Sequence, residues 1–205
     1  MSSTNRGIIR NAFDYYVTPQ KAIHNFIDNF KDNLENIHTF FDPCAGGDEN
    51  NKMAFPEVIK EYFPKANIIT SDIRSDSLAK NKLDFLTENL LVDHYNNLVI
   101  ISNPPFDLAE KFIEKALSLK PKYVIFLLRL SFFASDKRKE FFKNNMPEYC
   151  YILANRPSFI PKDLVFETTD GETKTIRKGS KDSSEYAFFV WSMDWKENFS
   201  KTFVI

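Results

Sequence analysis

The segment Asn103-Pro104-Pro105-Phe106 directly follows an apolar run, 98–102, that has the composition of a buried strand. Consecutive prolines remove backbone donors and fix φ, so the loop is rigid and its carbonyls remain free to accept hydrogen bonds. The Asn103 side chain adds an acceptor, and Phe106 adds a ring that can stack on a flat group. Two fixed acceptors suit an –NH2 group, so the segment predicts a site for a planar amine. The structural alternative is an ordinary turn that begins with Asn-Pro.

A second candidate site is the segment 42–47, Asp-Pro-Cys-Ala-Gly-Gly, which follows a strand-like Phe-Phe pair. Glycines in a tight turn let the backbone approach a ligand closely. In a doubly wound sheet, the first strand-to-helix turn is where nucleotide-like ligands bind. The glycine spacing of a dinucleotide fingerprint is missing, and no Gly-Lys-Ser/Thr follows. The segment therefore favours another nucleotide-like ligand, with a plain turn as the alternative.

Three further residues are weaker candidates for ligand contacts. Asp72 ends a predicted strand, where an acid can accept hydrogen bonds from ribose hydroxyls; a helix cap or a solvated turn residue is the alternative. Asp84 can accept from an adenine amino group while the ring of Phe85 stacks on its face. Taken alone, Phe85 is more typical of a core residue.

Composition limits the function classes. With 205 residues and 43% hydrophobic residues, the chain suits one compact α/β domain. The net charge of −1 excludes a globally basic nucleic-acid binder, although not a local basic patch. The two cysteines give no disulfide framework, and the three histidines are scattered, so we predict a cytoplasmic protein without a metal site. No apolar signal core or membrane-spanning run is evident, so we predict no membrane partner.

Short apolar runs alternate with helical patterns, which is typical of a parallel sheet with crossover helices. Thr18 before Pro19 suggests a helix cap followed by a proline in the first turn. Residues 155–184 break the pattern and predict a loop or hairpin inserted into a single domain, 1–205. The predicted strands are 38–42, 67–72, 98–102, 123–128, 150–154 and 186–191, and the predicted helices are 19–30, 53–63, 108–119 and 136–144.

The order of these motifs resembles the N6-adenine DNA methyltransferases, particularly small phage-type enzymes. The resemblance covers most of the chain, and Asn-Pro-Pro-Phe is its most specific part. It implies a Rossmann-like class I methyltransferase fold, in which a mostly parallel seven-stranded sheet carries helices on both faces. It also implies S-adenosylmethionine as the cofactor, and the host cytoplasm as the location if a phage encodes the protein.

The resemblance also assigns roles to individual residues. Asn103, Pro104, Pro105 and Phe106 hold the target base, and methyl transfer is direct and in line, without a strong general base. The ribose is held by Asp72, while Ile73 packs on the adenine ring of the cofactor. The residues expected around the rest of the cofactor are Tyr16, Thr18, Pro19, Asp42, Pro43, Ala45, Gly46, Asp84 and Phe85.

One departure from the family pattern concerns the glycine turn, which is usually Asp-Pro-x-x-Gly-x-Gly. Here the second glycine comes one position early, at Gly47, and an acidic segment, 48–52, follows. The resemblance also extends to RNA adenine methyltransferases and to protein glutamine methyltransferases. A catalytically silent cofactor-binding or DNA-binding module is the alternative from another class.

Double-stranded DNA is the expected partner, with the target base flipped out of the helix. Backbone contacts require Lys and Arg, which cluster in 129–143 and in 174–181. We predict contacts from Arg129, Lys174, Arg177 and Lys178, and a solvated surface is the alternative for either cluster. The chain has no room for a separate target-recognition domain, so its sequence specificity is expected to be short or relaxed.

Overall fold

The structure is a computed structural model that describes residues 16–88, 97–161, 164–167, 173–176 and 184–205. The helices are α1 Gln20–Phe30, α2 Ala54–Tyr62, α3 Ala109–Ser118 and α4 Lys139–Asn144. The strands are β1 Tyr16–Val17, β2 Thr39–Asp42, β3 Asn67–Asp72, β4 Asn81–Lys82, β5 Leu98–Ser102, β6 Tyr123–Arg129, β7 Tyr149–Ile152, β8 Ile160–Pro161, β9 Leu164–Glu167, β10 Thr173–Ile176, β11 Tyr186–Ser192 and β12 Lys201–Val204.

Eight strands form the main sheet, in the order β12-β7-β11-β6-β5-β2-β3-β4. Within it, β11 is antiparallel to β6 and β7, and the other pairings are parallel. The mostly parallel α/β fold is therefore confirmed. The predicted number of seven strands is wrong, because β4 and β12 complete a set of eight. Neither has an apolar run: β4 is Asn-Lys, and β12 is exposed along its whole length.

Helices cover both faces of the sheet, as predicted. The central strands β5 and β6 are almost entirely buried, so their side chains alternate between two separate cores. On one face, α1 and α2 pack over residues such as Phe188, and on the other α3 and α4 pack over residues such as Phe189. Burial on both faces explains why these strands are continuous in apolar residues.

Two short sheets lie outside the main one. Strand β1 pairs antiparallel with β8, and β9 pairs antiparallel with β10. The second pair lies inside the predicted insertion, 155–184, only part of which the structure describes. The single domain over 1–205 stays a prediction. Among the described residues, none of the helices is long and apolar enough to cross a membrane.

Candidate active site

The carboxyl ends of β2 and β5 lie side by side, because Phe41 pairs with Ile100 in a parallel register. This brings Asp42 next to Ser102, 60 positions away in the sequence. The Ser102 hydroxyl donates to Asp42 Oδ1 at 2.6 Å, and the Cys44 backbone N–H donates to the same oxygen at 3.1 Å. The residue that precedes Asn103 is thus tied to the first residue of the glycine turn.

Asp42 is 1% exposed, and burial raises its pKa to about 7. The hydrogen bonds from Ser102 and Cys44 oppose this rise of the pKa, and the nearby Asp72 carboxylate adds to it. The second oxygen, Oδ2, is buried and has no hydrogen-bond partner among the described residues. A cation placed beside this oxygen would favour the ionised carboxylate.

The glycine turn is anchored to the end of β3. Gly46 N–H donates to Asp72 Oδ2 at 2.8 Å, and Ala45 N–H donates to the Ser71 carbonyl at 2.9 Å. Gly46 and Gly47 have φ values of 64° and 73°, a region in which residues with a Cβ are strained. The turn therefore needs glycine at both positions, and Asp72 fixes its shape.

Arg74 was not among the predicted site residues, although it holds the same turn from a buried position. Its Nη2 donates to the Gly47 carbonyl at 2.9 Å, and its backbone N–H donates to Asp72 Oδ1 at 2.8 Å. Both oxygens of Asp72 are thus engaged by the backbone, as expected for a turn residue. A ribose contact by Asp72 stays a prediction, since each carboxylate oxygen can accept more than one hydrogen bond.

The acidic segment after Gly47 closes on itself. Asp48 Oδ1 accepts three hydrogen bonds of 2.9 Å, from Asn50 N–H and from the backbone and side chain of Asn51. The side chain of Asp48 is buried, whereas Glu49 and Asn50 are exposed. The extra length of the turn is therefore a compact loop stabilised by one carboxylate.

The residues predicted to surround the adenine of the cofactor have different environments. Ile73 follows β3 and is 54% exposed, so an apolar surface is available beside Asp72. Asp84 Oδ1 accepts the Leu86 N–H at 2.9 Å, as in a turn. Phe85 lies in the core, with its ring 5.7 Å from that of Phe41. This is the environment of a core residue, the alternative given for Phe85 in the sequence analysis.

The Asn103 side chain is held at one end only. Its Nδ2 donates to Thr18 Oγ1 at 3.0 Å, while Oδ1 is buried and accepts no hydrogen bond from the described residues. The predicted helix cap at Thr18 is wrong: helix α1 begins at Gln20, and its N-cap is Pro19, which makes no side-chain hydrogen bond. The Thr18 hydroxyl contacts the Asn-Pro-Pro loop instead.

The Phe106 ring lies close to two side chains from the strands β6 and β11. The guanidinium of Arg129, at the end of β6, is 4.8 Å from the ring centroid of Phe106, and the Tyr186 ring is 5.7 Å away. Arg129 and Tyr186 are register partners on β6 and β11. The structure thus brings one predicted nucleic-acid contact to the predicted base-binding ring.

The other predicted basic residues are distributed differently. In the cluster 129–143, Arg138 pairs with Glu110 at 2.8 Å, and Lys143 pairs with Glu140 at 2.6 Å. In the second cluster, Lys174 lies on β10, whereas Arg177 and Lys178 lie outside the described residues. Contacts from these three residues to nucleic acid stay predictions.

Residues 57–201 match the family model of the EDM2 methyltransferase-like domain. The chain belongs to this family. The matched range contains β3, the Asn-Pro-Pro-Phe loop, Arg129 and β11, whereas the glycine turn and Thr18 precede it. No curated protein sequence matches the chain.

Solved structures with this fold include two that are described as methyltransferases. One is from Listeria monocytogenes and is described as a candidate class I S-adenosylmethionine-dependent methyltransferase, with 19% identity and a TM-score of 0.56. This match covers 91% of the chain but 65% of the Listeria protein, which is less than two thirds of its length. The other is an S-adenosylmethionine-dependent O-methyltransferase from Thermotoga maritima, with 9% identity, a TM-score of 0.50, and coverage of 84% and 67% of the two chains.

The described residues of this methyltransferase-like domain fit the cofactor that the resemblance implied. S-adenosylmethionine carries an ammonium group and a sulfonium, and the turn presents a buried carboxylate oxygen of Asp42 that has no partner among the described residues. The exposed side chain of Ile73 can cover a flat ring, and Asp72 lies beside it. The charge and the surface of the turn therefore match this ligand.

Proposed function

We propose that this methyltransferase-like domain transfers a methyl group from S-adenosylmethionine to the N6 amino group of adenine in DNA. The observation that carries the proposal is the Asn103 amide, whose Oδ1 is buried and has no hydrogen-bond partner among the described residues. A buried acceptor without a partner costs free energy, about 1–3 kcal/mol. A substrate that donates an N–H to it would remove this cost.

The cofactor side of the proposed site is formed by the turn between β2 and α2. Bound S-adenosylmethionine supplies a methyl group whose bond to sulfur breaks as the bond to nitrogen forms. Asp42 would neutralise positive charge on the cofactor, and the backbone of Ala45 and Gly46 would allow close approach to its methionine part. Asp72 would accept from the ribose, and Ile73 would pack on the adenine ring.

The substrate side is formed by the Asn-Pro-Pro-Phe loop. Asn103 Oδ1 and the Pro104 carbonyl would each accept one N–H of the amine. Both hydrogen bonds draw the nitrogen lone pair out of conjugation with the ring and direct it toward the methyl group. Phe106 would stack on the base, an interaction worth about 1–3 kcal/mol. Asn103 cannot act as a strong base, so the amine proton leaves to solvent after transfer.

Double-stranded DNA is the proposed partner, and the base would flip out of the helix at a cost of a few kcal/mol. Arg129 supports this part of the proposal, because its guanidinium lies against the Phe106 ring, where a phosphate next to a flipped base would pass. Lys137 and Lys139, in the same basic cluster of the sequence as Arg129, are exposed.

The proposal is tested with methyl-labelled S-adenosylmethionine and three acceptors in parallel: unmethylated double-stranded DNA, structured RNA and a bacterial release factor. We expect label in DNA, and enzymatic digestion should release it as N6-methyl-2′-deoxyadenosine. Label found only in RNA or only in protein would contradict the DNA assignment. Cofactor binding without label in any acceptor would favour the silent module.

Asn103→Ala provides the matched test of the site. We expect the rate of methylation to fall by at least about 100-fold, because a preorganised acceptor is lost, while the dissociation constant of the cofactor changes less than about threefold. Asn29→Ala, an exposed asparagine on α1, is the control and should retain activity. A large loss of cofactor affinity in Asn103→Ala would place Asn103 in the cofactor pocket instead.

A further inference from the structure

Thr18 and Asn103 are 85 positions apart, yet their side chains are in contact at 3.0 Å. Thr18 is 5% exposed, so the contact is shielded from water. An asparagine amide is planar, with donors at one end and an acceptor at the other. Because Nδ2 is held by the Thr18 hydroxyl, Oδ1 must face the other way, and there it has no partner among the described residues.

Thr18 itself is held between two ordered elements. Strand β1 immediately precedes it and pairs with β8, with Val17 opposite Ile160. Helix α1 follows after one residue, and its inward side chains, including Ile23 and Phe26, are fully buried. The backbone of Thr18 is therefore held by ordered secondary structure on both sides.

The orientation of the amide decides which substrates the site can accept. With Oδ1 toward the substrate, the site accepts a hydrogen bond and suits an amine. If the amide turned over, its NH2 would face the amine, and two donors would oppose each other. In the structure the Thr18 hydroxyl accepts from Nδ2, and this hydrogen bond holds the amide with Oδ1 toward the substrate side.

We propose that Thr18 is a positioning residue that fixes the amide orientation of Asn103 and so presents Oδ1 to the substrate amine. This inference rests on the proposed function, and it differs from the role that the family resemblance gives Thr18, which is to contact the cofactor. A positioning role predicts a loss of turnover, whereas a cofactor role predicts a loss of cofactor affinity.

The kinetic test compares Thr18→Val, which removes the hydroxyl but keeps the shape, with Thr18→Ser, which keeps the hydroxyl. For Thr18→Val we expect kcat on the DNA acceptor to fall about 10- to 100-fold, because a misplaced catalytic group has effects of this size, with less than threefold change in the cofactor dissociation constant. Thr18→Ser should recover most of kcat. Thr39→Val, at the opposite end of β2, makes the same chemical change away from the site and should have no effect.

A second measurement does not depend on activity. In ¹H–¹⁵N spectra, the side-chain NH2 of Asn103 is assigned by its absence in Asn103→Ala. We expect slow exchange with solvent in the wild type and in Thr18→Ser, and fast exchange in Thr18→Val. Melting temperatures of all variants identify any that fail to fold.

The outcomes separate the two proposals. Protected Asn103 signals in a wild-type protein that labels no acceptor would contradict the methyltransferase proposal and leave the Thr18 contact intact. Unchanged exchange of the Asn103 NH2 in folded Thr18→Val would overturn the positioning role. An increase in the cofactor dissociation constant without any change in kcat would overturn it as well and favour the cofactor role.

Discussion

At the scale of single residues, the candidate site depends on two buried acceptor oxygens that no described residue satisfies, one on Asp42 and one on Asn103. They lie at the ends of the neighbouring strands β2 and β5, connected through Ser102. The first carries a charge that depends on pH, and the second is neutral. The two oxygens are therefore suited to different ligands, a cation and an amine.

The raised pKa of Asp42 leads us to expect that the affinity for the cofactor depends on pH. Burial raises its pKa to about 7, and a cationic ligand binds the ionised form, so binding releases a proton. The affinity for S-adenosylmethionine should increase about tenfold from pH 6 to pH 8 and level off above pH 7. Titration calorimetry at several pH values measures this.

Asp42→Asn is the control for that measurement, because it leaves the titration of the cofactor itself unchanged. Above pH 7, Asp42→Asn should bind S-adenosylmethionine more weakly than the wild type does. Its affinity should also lack the increase with pH that we attribute to Asp42. An equal pH dependence in the wild type and in Asp42→Asn would contradict the assignment.

We expect Arg129 to make a salt-dependent contribution to DNA binding. If it contacts a phosphate near Phe106, Arg129→Met should weaken binding and reduce the slope of log affinity against log salt by roughly one. Fluorescence anisotropy over a range of salt concentrations provides both values. Lys65→Met is the matched control, since Lys65 is exposed at the amino end of β3, away from the site, and its slope should equal that of the wild type.

At the scale of elements, the glycine turn combines positive φ with close packing. A Cβ at Gly47 would lie 2.9 Å from Met53 Cγ and 3.0 Å from Leu78 Cβ. Gly47→Ala should therefore lower the free energy of unfolding by roughly 1–3 kcal/mol and weaken cofactor binding. Chemical denaturation measures the first effect. Glu49→Ala, an exposed change in the same turn, should have almost no effect on stability.

The sequence predicted best those strands and helices that have a distinct pattern of apolar residues. Strands β5 and β6 are continuous in apolar residues, and helix α1 has inward residues at helical spacing, so their positions follow from periodicity. Strands β4 and β12 were missed because they are short or exposed, and β1 and β8 because a two-residue pairing leaves no pattern.

The candidate site was predictable only in part, for a related reason. Asn103 and Phe106 belong to a motif with local chemistry, so their types and spacing identify them. Ser102 and Arg74 have roles that depend on which strand ends lie side by side, and the sequence does not show this register. The polar Ser102 at the end of an apolar strand was the one signal that could have identified it.

At the scale of the whole molecule, the charge state of Asp42 is coupled to stability. Its pKa is raised from 3.8 in the reference state to about 7 in the folded chain, so the folded state holds its proton more tightly. The stabilisation that this proton gives is fully present below about pH 4 and is lost as the pH rises through 7. At neutral pH, Asp42 therefore makes the free protein less stable than at low pH, because folding buries a carboxylate that is partly ionised.

Removing that charge should stabilise the free protein. The stability of Asp42→Asn relative to the wild type should increase between pH 4 and pH 8, by at most about 4 kcal/mol. Thermal unfolding of both proteins across this range checks the sign. A difference that stays constant with pH would mean that folding does not raise the pKa of Asp42.

The position of β11 in the sheet has a consequence for how the protein is made. This strand lies between β6 and β7 in space, yet it follows both in the sequence. During synthesis, the apolar edges of β6 and β7 stay unpaired until residues 186–192 have left the ribosome, and such edges are prone to join other chains. The nascent chain therefore passes through a stage, before β11 emerges, in which aggregation competes with folding.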